Sequence, residues 1–222
     1  MKNTLKITSA MKLVSSAKLR KAQTAIENMR PYEQQLQAIL ASVGGASSTK
    51  MADSAPGRRA IIAIASNSSL CGGFNANAIA KVRSVRGADD VVYSIGRKMA
   101  DAMRKDGFPS PEDFTALSEH PSFAPAAALV EDLAKQLKEG KLAQVLLVYN
   151  HFVSTARQTP VVEVLLAAKG EDSLSEAFAR TGSRSDAEER ESSIIIEPSR
   201  RELLKVLLPK SVKLKLYAAL LD

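Results

Sequence analysis

The residues best placed to do chemistry in this 222-residue chain lie in one stretch, Ser66-Asn67-Ser68-Ser69-Leu70-Cys71-Gly72-Gly73-Phe74-Asn75. Between a strand and a helix, a turn built on Gly72 and Gly73 can aim backbone N–H groups at a phosphate. The spacing fits neither the GxGxxG of dinucleotide sites nor the P-loop of nucleoside triphosphatases, so a structural turn is the favoured reading. Cys71 is the single thiol. A nucleophilic thiolate needs a base or another means of lowering its pKa, and the only histidines, His120 and His151, are remote from it in sequence. Neither histidine stands at metal-ligand spacing from another His, Cys or carboxylate pair. Cys71 reads as structural, and no catalytic residue, cofactor site or metal site is expected.

The remaining chemistry is electrostatic. Within the first 32 residues stand Lys2, Lys6, Lys12, Lys18, Arg20, Lys21 and Arg30, with Glu27 as the lone acid. A helix left in solvent usually supports itself with Glu and Lys at i and i+4. This segment does not, which points to an acidic partner. A second basic cluster, Ser199-Arg200-Arg201 with Lys205, Lys210, Lys213 and Lys215, reads as a solvated face. The net charge of +7 and pI near 9.5 allow nucleic acid, anionic lipid or an acidic protein surface as partners. The interleaving of aromatic and basic residues used by single-strand binders is missing, so nucleic acid is not expected. No apolar run approaches the ~18 residues of a membrane span, and the start lacks the hydrophobic core of a signal peptide. One cysteine excludes an internal disulfide framework and fits a reducing compartment, with the cytoplasm as default.

These residues must be positioned by a long helix and an α/β module. Residues 2–43 carry an apolar stripe (Ile7, Met11, Val14, Ala17, Ala22, Ala25, Ile26, Met29, Tyr32, Leu36, Ile39, Leu40, Val43) at spacings of mostly three and four. Such a helix spans roughly 60 Å, against about 40 Å for a compact domain made of the rest, so part of it must project. Its alanine-rich first half suits close approach of another helix, and the larger residues after Tyr32 predict a change of packing partner. Pro31 predicts a bend or a break in hydrogen bonding, with the helix continuing past it.

Residues 44–58 read as a linker. Strands are predicted at 60–65, 91–95, 143–149, 159–167 and 193–197, with the fourth antiparallel to the third and Pro160 at a strand start or edge. Helices are predicted at 76–85, 97–105 and 126–138, a βαβα alternation. Residues 108–125 read as loop with a short strand near 114–117, and residues 169–192 as a surface excursion. From Ser199, with Glu202 three residues on, a second terminal helix begins, with Pro209 expected to bend or interrupt it. Both ends of the chain read as cut mid-helix. The fold class expected is α/β, a Rossmann-like domain at 59–198 inserted between two long terminal helices, 1–43 and 199–222, that form part of an antiparallel coiled coil.

Three patches carry a family resemblance. Asn3-Thr4-Leu5-Lys6-Ile7-Thr8, Ala10-Met11, Val14, Ala17 to Gln23 and Arg30-Pro31-Tyr32 resemble the N-terminal helix of the gamma subunits of bacterial F-type ATP synthases. Leu70-Cys71-Gly72-Gly73-Phe74-Asn75 resembles that family's Leu-Cys-Gly-Gly-x-Asn loop, although Asn67-Ser68-Ser69 departs from the acidic-basic-glycine run before it. Glu197-Pro198 with the helix after it resembles the family's entry into its C-terminal helix.

The resemblance implies a central-stalk rotor subunit, peripheral on the cytoplasmic face of the bacterial plasma membrane, that couples proton or sodium flow to ATP synthesis without catalytic residues of its own. It implies alpha and beta subunits around the shaft, with Met11, Lys12, Lys18, Arg20 and Lys21 facing beta, and epsilon and the ring of c subunits against the globular domain. It also implies that the family's chains run further at both ends. The competing readings are a nucleotide-binding α/β domain and a basic coiled-coil adaptor.

Overall fold

The computed structural model describes residues 2–42, 57–154, 157–167 and 199–222. Helix α1 (Lys2–Ser42) is followed by β1 (Arg59–Ile64), α2 (Phe74–Val85), β2 (Val91–Ile95), α3 (Arg97–Lys105), α4 (Thr115–Glu119), α5 (Phe123–Lys138), β3 (Gln144–Ser154), β4 (Arg157–Ala167) and α6 (Arg200–Leu221). Most of the expected linker, the surface excursion and the strand at 193–197 lie outside the described residues.

The strands form one sheet in the order β2-β1-β3-β4. β1 pairs parallel with both β2 and β3, and β3 pairs antiparallel with β4. A parallel centre is covered on both faces, which is why β1 is a nearly unbroken apolar run, Ala60 to Ile64, buried throughout. Side chains alternate across the sheet. On one face Ile62, Ile95, Val145 and Leu147 pack with Leu129 and Leu133 of α5 and with Val212 and Leu216 of α6. On the other, Ile61, Ala63, Val92 and Leu146 meet Ala78 and Val82 of α2 and Met99 and Met103 of α3. Pro160 lies in β4, one of the two edge strands among the described residues, opposite Asn150.

The short strand expected near 114–117 is instead helix α4. Phe114 and Leu117, three apart, share a helical face, and the Asp113 carboxylate accepts the Thr115 N–H at 2.8 Å, satisfying one donor of the first turn. α5 begins at Phe123, three residues before the expected start, because Pro125 falls in the first turn where a missing N–H costs nothing. The helix at 76–85 likewise starts earlier, at Phe74.

Both terminal helices pass through their prolines, Pro31 and Pro209, without interruption. The Ser199 hydroxyl accepts the Glu202 N–H at 3.2 Å, as the cap pattern predicts. Leu36 and Leu40 of α1 interlock with Leu204 and Leu208 of α6. Lys210 sits over the Tyr32 ring at 5.7 Å and Gln37 Nε2 donates to Ser211 Oγ at 3.5 Å. The helices are therefore joined over the second half of α1.

Candidate functional site

The apolar stripe of α1 is used unevenly. From Ile26 onward it is covered at Ile26, Leu36 and Leu40, which are buried, while Tyr32 and Ile39 stay exposed; every residue from Leu5 to Ala22 is exposed. Leu5, Ile7, Met11, Leu13 and Val14 stand 58% or more exposed. Helical geometry makes this bare length about 26 Å. It is a surface rich in both apolar and cationic groups, of a kind that marks a contact site.

Met11, Lys12, Lys18, Arg20 and Lys21 all lie on that length. They are not one patch. Met11 and Lys18, seven apart, share a face with the apolar stripe, while Arg20, nine on from Met11, falls on the opposite side. The five form a collar about 15 Å long. Among the described residues none of the four cations has an ion-pair partner.

The second candidate is the loop after β1. Asn75, only 8% exposed, organises it. Its Oδ1 accepts the Ser66 N–H at 2.9 Å, and its amide hydrogens are shared among the Ser68 carbonyl at 2.8 Å, Ser66 Oγ at 3.0 Å and Cys71 Sγ at 3.0 Å. Gly72 takes the left-handed φ of +57° and Gly73 ends the turn at the start of α2. The structure thus gathers Cys71, Gly72, Gly73 and Asn75 into one knot and leaves Leu70 fully exposed at its tip. The Ser66 and Phe74 amides are spent inside the loop, on Asn75 Oδ1 and the Cys71 carbonyl.

Asn67, which departs from the family pattern, has work of its own. Its Oδ1 accepts the Arg97 N–H at the start of α3 at 2.8 Å, and its Nδ2 donates to the Thr115 carbonyl at 3.1 Å. A side-chain cap thirty residues from its helix leaves no trace in local sequence.

Replacing Asn75 by alanine removes this organiser and strands buried partners, a loss of ~1–3 kcal/mol. The expected result is a lower denaturant midpoint together with faster labelling of Cys71 by a thiol reagent, read in the same preparation.

In open α/β sheets, ligands bind where the strand order reverses, beyond the carboxyl ends of the strands. Here that place is between β1 and β3, and the last turn of α6 fills it. Ala219, Leu220 and Asp222 close over Ser66, Phe74 and Asn150, leaving a cavity of about 130 Å³. Ligand clefts run from about 300 Å³ upward, so a nucleotide has no room.

A third constellation, which sequence reading missed, occupies the junction of α1, α6, β3 and β4. Arg30 and Glu33 from α1, His151 from β3, Glu163 from β4, and Lys215 and Asp222 from α6 line a cavity of about 440 Å³. His151 Nδ1 lies 2.9 Å from Asp222 Oδ2, Lys215 Nζ lies 2.8 Å from Glu163 Oε2, and Arg30 Nη2 donates to the Phe152 carbonyl at 3.3 Å. Burial pushes the Glu33 carboxyl above its ordinary range. Burial does the same to Asp222, outweighing the opposing pull of His151. The Tyr149 hydroxyl is held protonated by burial and by the carboxylates around it.

A family profile described as ATP synthase matches residues 1–222. The ATP synthase gamma chain of Phocaeicola vulgatus is 40% identical over 231 residues, covering 99% of this chain and 77% of the relative. The chain belongs to the ATP synthase gamma-chain family. The gamma chain of Bacteroides thetaiotaomicron is 36% identical, over 100% of this chain and 78% of its own length. Among solved structures, a chain of the Tetrahymena thermophila mitochondrial ATP synthase central stalk and c-ring matches with a TM-score of 0.63 at 21% identity, covering 97% of this chain and 92% of that one. That likeness is one of fold. This gamma-family chain is a subunit type of ATP synthase, and none of its described helices is long and apolar enough to cross a membrane.

Proposed function

We propose that the chain acts as the central rotor of an F-type ATP synthase, with α1 and α6 as an antiparallel coiled-coil shaft turning inside a ring of alpha and beta subunits. Its collar of Met11, Lys12, Lys18, Arg20 and Lys21 meets acidic surfaces of beta. The α/β domain takes up contact with epsilon and the c-ring at the cytoplasmic face of the membrane, so that ion flow drives ATP chemistry held elsewhere in the complex.

One observation carries this reading. α1 is fastened to α6 and the sheet over its second half and bare from Leu5 to Ala22, where apolar residues and cations with no ion-pair partner among the described residues surround it. A rod held at one end and dressed for contact at the other can transmit torque. An enzyme reading would need an open crevice at the strand switch point, and α6 occupies it.

The test is co-purification of the chain with alpha and beta subunits of its own organism, followed by ATP hydrolysis. The expected outcome is a complex with one copy of this chain whose hydrolysis depends on it. Failure to join alpha and beta under conditions where those subunits assemble would overturn the rotor reading.

A further inference from the structure

β2 lies at one edge of the sheet, with β1 on one side and no strand among the described residues on the other. Its outward backbone groups must find partners outside the ladder or go without. Which groups these are follows from two contacts. The Ile95 carbonyl accepts the Ala65 N–H at 2.9 Å, so Val91, Tyr93 and Ile95 turn their backbone groups toward β1. The Ser94 N–H donates instead to Ser110 Oγ at 3.2 Å, so Val92 and Ser94 turn theirs outward.

The segment that covers this edge is Phe108-Pro109-Ser110-Pro111. It is anchored where the Phe108 N–H donates to the Met103 carbonyl at 2.8 Å and Arg86 Cζ lies 4.0 Å from the centre of the Phe108 ring. Ser110 then pins it to β2 through a hydroxyl whose own proton goes to the Glu112 carbonyl at 2.8 Å. The prolines on either side of Ser110 have no N–H to offer, so the segment lies along the edge without adding a strand. Its cover is incomplete in hydrogen bonds. Val92 is buried, yet no described residue pairs with its outward N–H and C=O, and Ser94 Oγ is buried without a partner among the described residues.

We propose that Phe108 to Pro111 is an edge guard, and that it holds off β2 of a second copy of this chain: with the guard displaced, Val92 and Ser94 are placed to pair antiparallel with Ser94 and Val92 of that copy. Residues two apart with outward backbone groups make a self-complementary edge. A two-fold axis at Tyr93 sets Val92 opposite Ser94 of the second copy, and each such pair exchanges both of its hydrogen bonds. That pairing gives the buried Val92 groups the partners the guard withholds. Val91-Val92-Tyr93-Ser94-Ile95 is also rich in the β-branched and aromatic residues that favour strands. Proline, and a hydroxyl that caps a donor without extending the ladder, keep such an edge from joining another. The inference concerns the sheet alone and does not rest on the rotor reading.

Light scattering on the purified full chain, followed across a range of concentrations, tests it. Pro109→Gly with Ser110→Gly and Pro111→Gly removes both the pin and the stiffness of the guard. That variant is expected to dimerise at least about tenfold more strongly than the parent, the equivalent of roughly one net hydrogen bond. Ser110→Ala removes the pin alone and serves if the triple variant folds poorly, whereas Ser110→Thr keeps the hydroxyl and should match the parent. Association through the bare length of α1 is common to every variant and forms the baseline. Amide exchange assigns the contact. In the unguarded variant Val92 and Ser94 are expected to exchange faster than in the parent when dilute and to become protected as concentration rises, while Tyr93, bonded to β1, changes little. A merely structural contact would instead give faster exchange at every concentration. That result, or equal self-association of the parent and the unguarded variant, would overturn the proposal.

Discussion

Gly96→Ala is expected to unfold the α/β domain at temperatures where the parent chain is intact. Gly96 links β2 to α3 with φ +96° and ψ 138°, a conformation that L side chains rarely adopt. A Cβ built there meets the Ala65 carbonyl oxygen at 2.0 Å and its carbon at 2.8 Å. Neither neighbour can retreat easily, because the Ala65 N–H donates to the Ile95 carbonyl at 2.9 Å and its own carbonyl accepts the Ser118 hydroxyl at 2.9 Å. Backbone strain alone costs about 1–3 kcal/mol, and overpacking against fixed backbone adds ~1–3 kcal/mol. A loss of about 4 kcal/mol lowers the melting temperature of a chain this size by ~10 °C or more. Gly72→Ala is the control. Its φ is +57° but nothing lies within 4 Å of the added carbon, so the cost is only the ~1–2 kcal/mol of a left-handed residue. Equal melting temperatures for the two variants would show that contact with Ala65 is not what position 96 requires.

That contrast illustrates what can be read from sequence. Both glycines punctuate a strand-to-helix passage, Gly72 in the loop singled out from sequence and Gly96 between the strand predicted at 91–95 and the helix predicted at 97–105. Which of them touches another strand depends on β1 and β2 lying side by side, a pairing between residues thirty-one apart. The strands themselves were legible because a buried parallel strand must be apolar on both faces, as Ala60 to Ile64 is. β3 was legible only as far as Tyr149. Beyond it His151, Val153 and Ser154 are exposed, and the strand continues because β4 pairs with it, from His151 opposite Thr159 to Ser154 opposite Arg157. Helix α4 was misread because Phe114 to Leu117 is too short a span for periodicity to separate helix from strand.

The sites divide in the same way. The loop from Ser66 to Asn75 is local, so its residues could be picked out together. The junction cavity joins Arg30, His151, Glu163 and Lys215 across more than 180 positions. His151 lacks a ligand partner at short spacing in sequence, yet its partner Asp222 is 71 positions away. Glu33 and Lys215 look like ordinary surface charges of amphipathic helices until the antiparallel packing of α1 on α6 turns them inward. Periodicity predicts which face is buried, and it does not predict what that face meets.

Reversing Lys12, Lys18, Arg20 and Lys21 to glutamate is expected to abolish productive assembly with alpha and beta while leaving the fold intact. All four side chains are exposed and project from a length of α1 that no other described element covers, so circular dichroism and the melting temperature of the isolated chain should hardly move. The effect on assembly should be large because the charges surround the helix. Partners on every side of the shaft lose attraction and meet repulsion at once, and like charges brought together at an interface reverse electrostatic steering as well as complementarity. The measured association should fall by at least about tenfold, and the parent's association should weaken with added salt while the variant's improves. Replacing Lys105, Lys135, Lys138 and Lys141 in the same way changes net charge equally from exposed positions of the α/β domain. If that set impairs binding to alpha and beta as much as the collar set does, overall charge rather than the bare end of α1 governs the encounter. A loss confined to the collar would instead place the contact on the first half of α1, where Lys12, Lys18, Arg20 and Lys21 have no ion-pair partner among the described residues.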